Sequence, residues 1–347
     1  KPMSAPANTE GTICILPRMK GVGGPVSFQS RLIAGLRNRG FIVHHDPFEK
    51  DCSVILVIGG ISRMDLLWRA KQGGVRIVQR LNGMNWMHRK LPTGRRHYLR
   101  AEWNNFVLAS IRGHMADHVV YQSQFARTWW HTVHGADHTS TSVIYNGVDL
   151  QLFNPEGSYQ RPQDIFRLLL VEGHLGGGYE QGLKTAIQFA QHLNQCAEKP
   201  VELMVVGEVN SKVRGHWNGE YGLKIEWSGV VPREQIPQID RSAHLLFSVD
   251  LNAACPNSVI EAMACGLPVI GFATGSLPEL IQGDSGRVVP YGSNYWNVEP
   301  PDINALIGAA NEMLSDQPRY RRAARARAEA AFDLNKMVDA YLKAMFD

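Results

Sequence analysis

The stretch LNAACPNSVIEAMACGLPVIGFATGSLPELI, residues 251–281, holds a short helix, a strand and a second helix start in quick succession. Small and apolar residues run from Ser258 to Gly266, and a glycine suits a left-handed helix exit. PVIGF (268–272) follows as a strand. Gly275 and Ser276 then precede a helix at Leu277. Within 251–270 Glu261 is the single carboxylate. Ser258 and Glu261 have the S-x-x-E spacing of a capping box, in which Glu261 reaches back to the helix start. A carboxylate at such a helix start can equally bind a ribose diol, as acids do in dinucleotide folds. Local spacing does not separate the two readings.

Outward from this segment, strand and helix patterns alternate. Strands are expected at 12–16, 41–45, 53–59, 75–81 and 118–121, with helices over 25–39, 62–72 and 98–115. YNGVDLQLFNPEGSYQRPQD (145–164) breaks the pattern with Asn-Gly, Asn-Pro and Gly-Ser steps and reads as a linker. The alternation then restarts, with strands at 166–171, 202–206, 224–227 and 244–249 and helices near 179–193 and 233–242. The tail from RYRRAARARAEAAF to Phe346 is strongly helical in propensity. The expected fold class is α/β: two Rossmann-like domains facing across a central cleft, over residues 1–155 and 156–329. Ligands of such sheets bind at the carboxyl ends of the strands.

The 347 residues suit two domains, and 44% apolar with 20% charged residues is a globular composition. A net charge of +4 is compatible with an anionic substrate or a membrane surface but too weak to indicate nucleic acid. The five cysteines (14, 52, 196, 255, 265) form no CxxC pair. They read as buried thiols of a reducing, cytoplasmic protein. No apolar run is long enough for a membrane span. KPMSAPANTE at 1–10 reads as a polar tail without a signal-peptide core. HExxH, G-x-S-x-G and Asp-x-Asp patterns are absent, and no metal site is expected.

Two glycine turns lie between a strand and a helix start. Gly21, Gly23 and Gly24 form the first; Gly176, Gly177 and Gly178, with Lys184 a turn beyond, form the second. Each can present amides to a phosphate at a helix N-terminus, and each can be a plain turn. NWMHRKLPTGRRHYLRAEW (85–103) mixes Arg89, Lys90, Arg95, Arg96 and Arg100 with Trp86, Tyr98 and Trp103. It reads as an acceptor or membrane-surface segment, in which Asn85, His88 and Arg89 would contact acceptor, or as a solvated charge run.

CPNSVIEAMACGLPVIGFATGSLPELI resembles the signature of the retaining GT-B glycosyltransferases of family 4, the group 1 transferases. GGPVSFQSRLIAGLRNRGFIV, ADHVVYQSQFARTWW, SVIYNGVDLQLFNP and IEWSGVVPREQIPQIDRSAHLLFSV resemble other segments of that family in the same order, so the resemblance covers about residues 12–335. It implies a nucleotide diphosphate sugar as co-substrate in the C-terminal domain and no other cofactor or metal. The acceptor, a glycan, a lipid-linked molecule or a small molecule, belongs to the N-terminal domain. By the same resemblance Glu261 binds the donor ribose, Ser276 and Leu277 lie near phosphate and sugar, and Val230 and Val231 line the base pocket. Ser258, Gly275 and the Gly23–Gly24 turn also fall at donor positions, and the 330–347 helix packs back on the N-terminal domain.

Two positions depart from the family pattern. The acid usual eight residues before Glu261 is Ala253, and the basic pair usual after the first C-domain strand falls at about His174 and Gln181. Gly176–Gly178 with Lys184 are the replacement donors on one reading. On the other, the chain is a catalytically weak GT-B protein acting as a glycan-binding or scaffolding partner. A sugar phosphorylase is a third reading of the same fold.

Overall fold

A computed structural model of the chain describes residues 11–21, 23–175, 180–217 and 222–347. The 1–10 tail and Gly176, Gly177 and Gly178 lie outside the described residues. The chain divides into two compact units.

The first unit comprises residues 1–88, 94–147 and 334–347. Its strands are β1 (Thr12–Leu16), β2 (Ile42–His44), β3 (Cys52–Ile58), β4 (Arg76–Leu81), β5 (His118–Tyr121) and β6 (Ser140–Val143), and its helices α1 (Gly24–Arg37), α2 (Met64–Gln72), α3 (Arg95–His114) and α4 (Gln124–His134). The strands pair in parallel in the order β2-β1-β3-β4-β5-β6. Apolar runs such as TICIL and CSVILVI form central strands because helices bury both of their faces. In α1 Pro25 occupies the first turn, where a missing amide is harmless, and Phe28, Leu32 and Leu36 face the sheet.

The second unit comprises residues 89–93 and 148–333. Its strands are β7 (Phe166–His174), β8 (Val201–Glu208), β9 (Lys224–Gly229), β10 (Leu245–Ser248), β11 (Val269–Phe272) and β12 (Gly286–Val289). Its helices are α5 (Glu180–Cys196), α6 (Ser211–Trp217), α7 (Ile236–Ser242), α8 (Asn257–Ala264), α9 (Leu277–Leu280), α10 (Asn304–Ser315) and α11 (Gln317–Ala331). The parallel order β12-β11-β10-β7-β8-β9 is that of a Rossmann sheet, with its topological switch between β7 and β10.

The helical tail is two helices, α11 and α12 (Leu334–Phe346), separated where Val148 bridges Asp333. Met337, Val338, Tyr341 and Met345 of α12 are buried in the core of the first unit. The arginines of α11 are not a solvated run. Arg325 donates to the carbonyls of Phe153 and Ala264 at 2.8 Å, and Arg327 to those of Glu279 and Leu280. A cation on the Ala264 carbonyl also suits the negative end of α8.

None of the five cysteines is in a disulfide; Cys14, Cys255 and Cys265 are buried, whereas Cys52 is half-buried and Cys196 exposed. The expectation of five buried thiols therefore fails at two positions, since Cys196 ends α5 on its outer face. No described helix is long and apolar enough to cross a membrane.

Candidate functional site

The second unit gathers polar groups at the carboxyl ends of β7, β10 and β11. The β7–β8 register shifts between Val171 and His174, so Glu172 and Gly173 stand opposite Gly207 alone. This bulge depends on the glycine: a Cβ at Gly207 (φ 135°) would lie 1.8 Å from the Glu172 carbonyl oxygen. Bulges of this kind re-aim a side chain at a strand end. Asp250 follows β10, the strand across the switch point, where Leu246 is in register with Leu169. Burial first, then the Asp250 charge, push Glu172 up to about 8, and burial pushes Asp250 up to about 6. Two carboxyls raised together at one switch point titrate as a pair that holds a proton toward neutrality.

The loop after β10 and the loop after β11 are joined. Ser276 donates its amide to the Ala253 carbonyl at 2.9 Å. Gly275 (φ 58°) admits this approach, because a Cβ there would lie 2.7 Å from the Ala253 nitrogen. Asn252 (φ 61°), Thr274 and Ser276 are buried, yet both Asn252 amide atoms and both hydroxyls lack a hydrogen-bond partner among the described residues. Each such group costs about 1–3 kcal/mol unless water or a ligand completes it.

The helix α8 begins at Asn257, with Pro256 as its N-cap and no side-chain cap. The capping box expected from Ser258 and Glu261 is not formed: Ser258 is the second helical residue, and Glu261 lies in the second turn. Proline ahead of the helix fixes an earlier start than the motif implies. At its other end the helix closes as expected, with Gly266 (φ 68°) and bonds from Gly266 to Met263 and from Leu267 to Ala262. Glu261 is buried at 8% exposure. Burial, then the Glu261 carboxylate, hold Asp240 of α7 well above its ordinary range. A helix N-terminus without a side-chain cap, at the end of β10, is suited to an anion.

Other sequence-derived positions are placed as follows. Leu277 is buried, with its Cδ1 2.9 Å from where a Gly271 Cβ would stand. The Leu277 amide is spent inside the turn, on the Thr274 carbonyl at 3.3 Å, and the Ser276 amide on Ala253 of the neighbouring loop. Gly275 is the amide of that turn with no backbone partner among the described residues. Val230 is exposed and Val231 half-buried, just past Gly229 at the end of β9. Lys184 is exposed in the second turn of α5. The helix start itself is pressed inward, since a Gly182 Cβ would lie 3.1 Å from Val249.

In the first unit Gly23 (φ 132°) caps α1 without a side chain, and Gly23 and Gly24 are exposed at the end of β1. Asn85 is exposed, its backbone held by Asn105 of α3 through bonds of 2.9 and 2.8 Å. His88 is buried, its Nε2 2.6 Å from Glu102, so it fastens its loop to α3. Arg89 is exposed and belongs to the second unit. A cavity of about 490 Å³ lined by Tyr159, Arg167, Gln235 and Gln238 lies at the amino ends of β7 and β10, away from these groups.

Residues 176–330 match the family described as glycosyl transferases group 1. Most of the second unit thus resembles a group 1 glycosyltransferase domain. Over 249 residues the chain is 27% identical to D-inositol 3-phosphate glycosyltransferase of Mycolicibacterium smegmatis, covering 67% of this chain and 54% of that protein. The chain thus spans about half the length of that relative. Sucrose-phosphate synthase from Thermosynechococcus elongatus has the same fold, with a TM-score of 0.76 at 18% identity over 96% of this chain and 98% of that one. So does Anabaena HepE, solved in complex with UDP-glucose, with a TM-score of 0.71 at 17% identity over 97% and 100%. The architecture is GT-B, and Asp250, the Ala253–Ser276 junction and α8 fall within the matched residues, with Glu172 just ahead of them.

Proposed function

We propose that the chain is a retaining glycosyltransferase that moves a sugar from a nucleotide diphosphate sugar to an acceptor hydroxyl without a divalent cation. The convergence of an α8 start with no side-chain cap, four unpartnered buried polar atoms and the Glu172–Asp250 pair on one set of strand ends carries this reading. Apart from Glu172, these residues fall within the segment that matches group 1 glycosyl transferases.

In the reaction the acceptor oxygen bonds to the anomeric carbon as the bond to the diphosphate oxygen breaks. The acceptor proton passes to the departing phosphate oxygen on the same face. The protein's task is positioning and stabilisation of the charge that develops on the leaving group. Glu261 is assigned to the ribose and the Val230–Val231 segment to the base. The diphosphate is assigned to the α8 start and the Gly275 amide, with Lys184 as the nearby cation. The Gly23–Gly24 turn offers exposed amides to an anion on the first unit. That unit is assigned to the acceptor, a glycan, lipid-linked or small-molecule hydroxyl, with Asn85 as an exposed contact, and the exposed Arg89 of the second unit is assigned to the same acceptor. His88 supports Asn85 through its bond to Glu102.

Ala253 and Gln181, where the family resemblance leads one to expect an acid and a cation, favour a second reading. In it the chain binds a glycan or a partner and turns over weakly. Incubation with a panel of nucleotide sugars decides between them, because a transferase without acceptor hydrolyses its donor slowly. Release of free sugar from one donor supports the transferase. Binding of a nucleotide sugar with no release supports the second reading, and no binding of any donor contradicts both.

A further inference from the structure

Helix α3 carries a second apolar stripe on the side away from its unit. Ala101, Asn105, Ile111 and Arg112 are buried against the first unit. Leu99, Trp103 and Phe106 are 69%, 53% and 55% exposed. At 100° per residue these three fall within an arc of about 60°, opposite the buried face. The Trp103 and Phe106 rings touch each other, with centroids 5.5 Å apart, and form one apolar surface.

Arg95 and Arg96 flank this arc on its two sides, and Arg100 follows one turn after Arg96. All three are exposed and make no hydrogen bond or ion pair among the described residues. Glu102, the one acid of the helix, is bound by His88 at 2.6 Å. The patch is therefore apolar at its centre and cationic at its rim. Solvent-exposed apolar stripes are rare on a water-facing helix, and this one combines with cations in the pattern of an interfacial helix.

We infer that α3 docks the protein on an anionic lipid surface, with Leu99, Trp103 and Phe106 entering the acyl boundary and Arg95, Arg96 and Arg100 meeting the headgroups. Charge selects this occupant over a second copy of the chain. Two copies of the patch would set arginines against arginines, whereas anionic headgroups neutralise them. The inference does not depend on the donor chemistry, because every residue it uses lies on the first unit.

Co-sedimentation of the full chain with vesicles of phosphatidylcholine, with and without phosphatidylglycerol, tests it. Binding is expected to the anionic vesicles and not to the neutral ones. The triple variant Arg95→Ala, Arg96→Ala, Arg100→Ala is expected to weaken partitioning about a hundredfold. The triple variant Leu99→Ser, Trp103→Ser, Phe106→Ser is expected to abolish what binding persists at about 0.5 M salt, where the headgroup attraction is screened. Both variants alter exposed positions and keep the wild-type melting temperature. No binding of wild type to anionic vesicles, or equal binding of the variants, overturns the inference. So does a dimer in gel filtration that the serine variant dissolves, since the patch would then join two copies.

Discussion

The Ser276 amide donates to the Ala253 carbonyl at 2.9 Å, and this bond fastens the loop after β11 to the loop after β10. Gly275 makes it possible, with φ 58° and no room for a side chain. Alanine there would add backbone strain to a contact of 2.7 Å with the Ala253 nitrogen, which cannot give way. Gly275→Ala should cost about 2–4 kcal/mol in thermal unfolding and at least about tenfold in nucleotide affinity. Gly283→Ala is the control. Its φ of 57° matches, but a Cβ there meets nothing within 4 Å, so it should lose about 1 kcal/mol and no affinity.

Glu172 and Asp250 give the fold a pH dependence of definite sign. Their native affinities, about 8 and about 6, lie above the ordinary values of 4.5 and 3.8. At these two groups the native state therefore holds more protons than the unfolded chain, and their contribution to stability falls as pH rises from about 4 to about 8. Glu172→Gln keeps the shape and removes the titration. Urea midpoints between pH 6 and 8 should decline less steeply in the variant than in wild type. Equal slopes would contradict the assignment.

The seam between α1 and α12 is also testable. A Cβ on Gly35 would lie 2.5 Å from Cγ2 of Val338, which is fully buried. Gly35→Ala should destabilise the protein by about 1–3 kcal/mol in thermal unfolding. The pair Gly35→Ala with Val338→Ala should recover part of that loss, because the two positions share one space.

Much of this fold was readable because its central strands are buried on both faces. TICIL and CSVILVI are nearly continuous apolar runs that flank helix patterns, and that rhythm specifies a parallel sheet. Two of the four edge strands, β6 and β12, were not readable. STSV (β6) has one partner strand and no fully buried residue, and GRVV (β12) opens with glycine. The Asn-Gly step at 146–147 does mark the turn between units, and the second unit resumes at Val148, ahead of the expected 156.

At the site, Glu261 and Gly275 stood out in the sequence, whereas Glu172 and Asp250 did not. Their proximity depends on the register of two strands far apart in the chain and on a bulge opposite Gly207. The S-x-x-E spacing misled because it does not encode where Pro256 starts the helix. A capping box is present at Gln282 and Ser285, where no acid marks it.

Glu261 is the residue on which the donor assignment turns. It is buried in the second turn of α8, past the first turn in which the S-x-x-E motif would place it, and it raises Asp240 beside it. Removing its charge while keeping its shape relieves Asp240, so Glu261→Gln should not lower the melting temperature. Calorimetric titration of wild type and Glu261→Gln with UDP, GDP and ADP is the most direct measurement. One nucleotide should bind the wild type and bind the variant at least about tenfold more weakly, the loss expected when a charged acceptor leaves a ribose hydroxyl. Binding of no nucleotide, or equal affinity in a variant that melts lower, would contradict a donor site in the second unit.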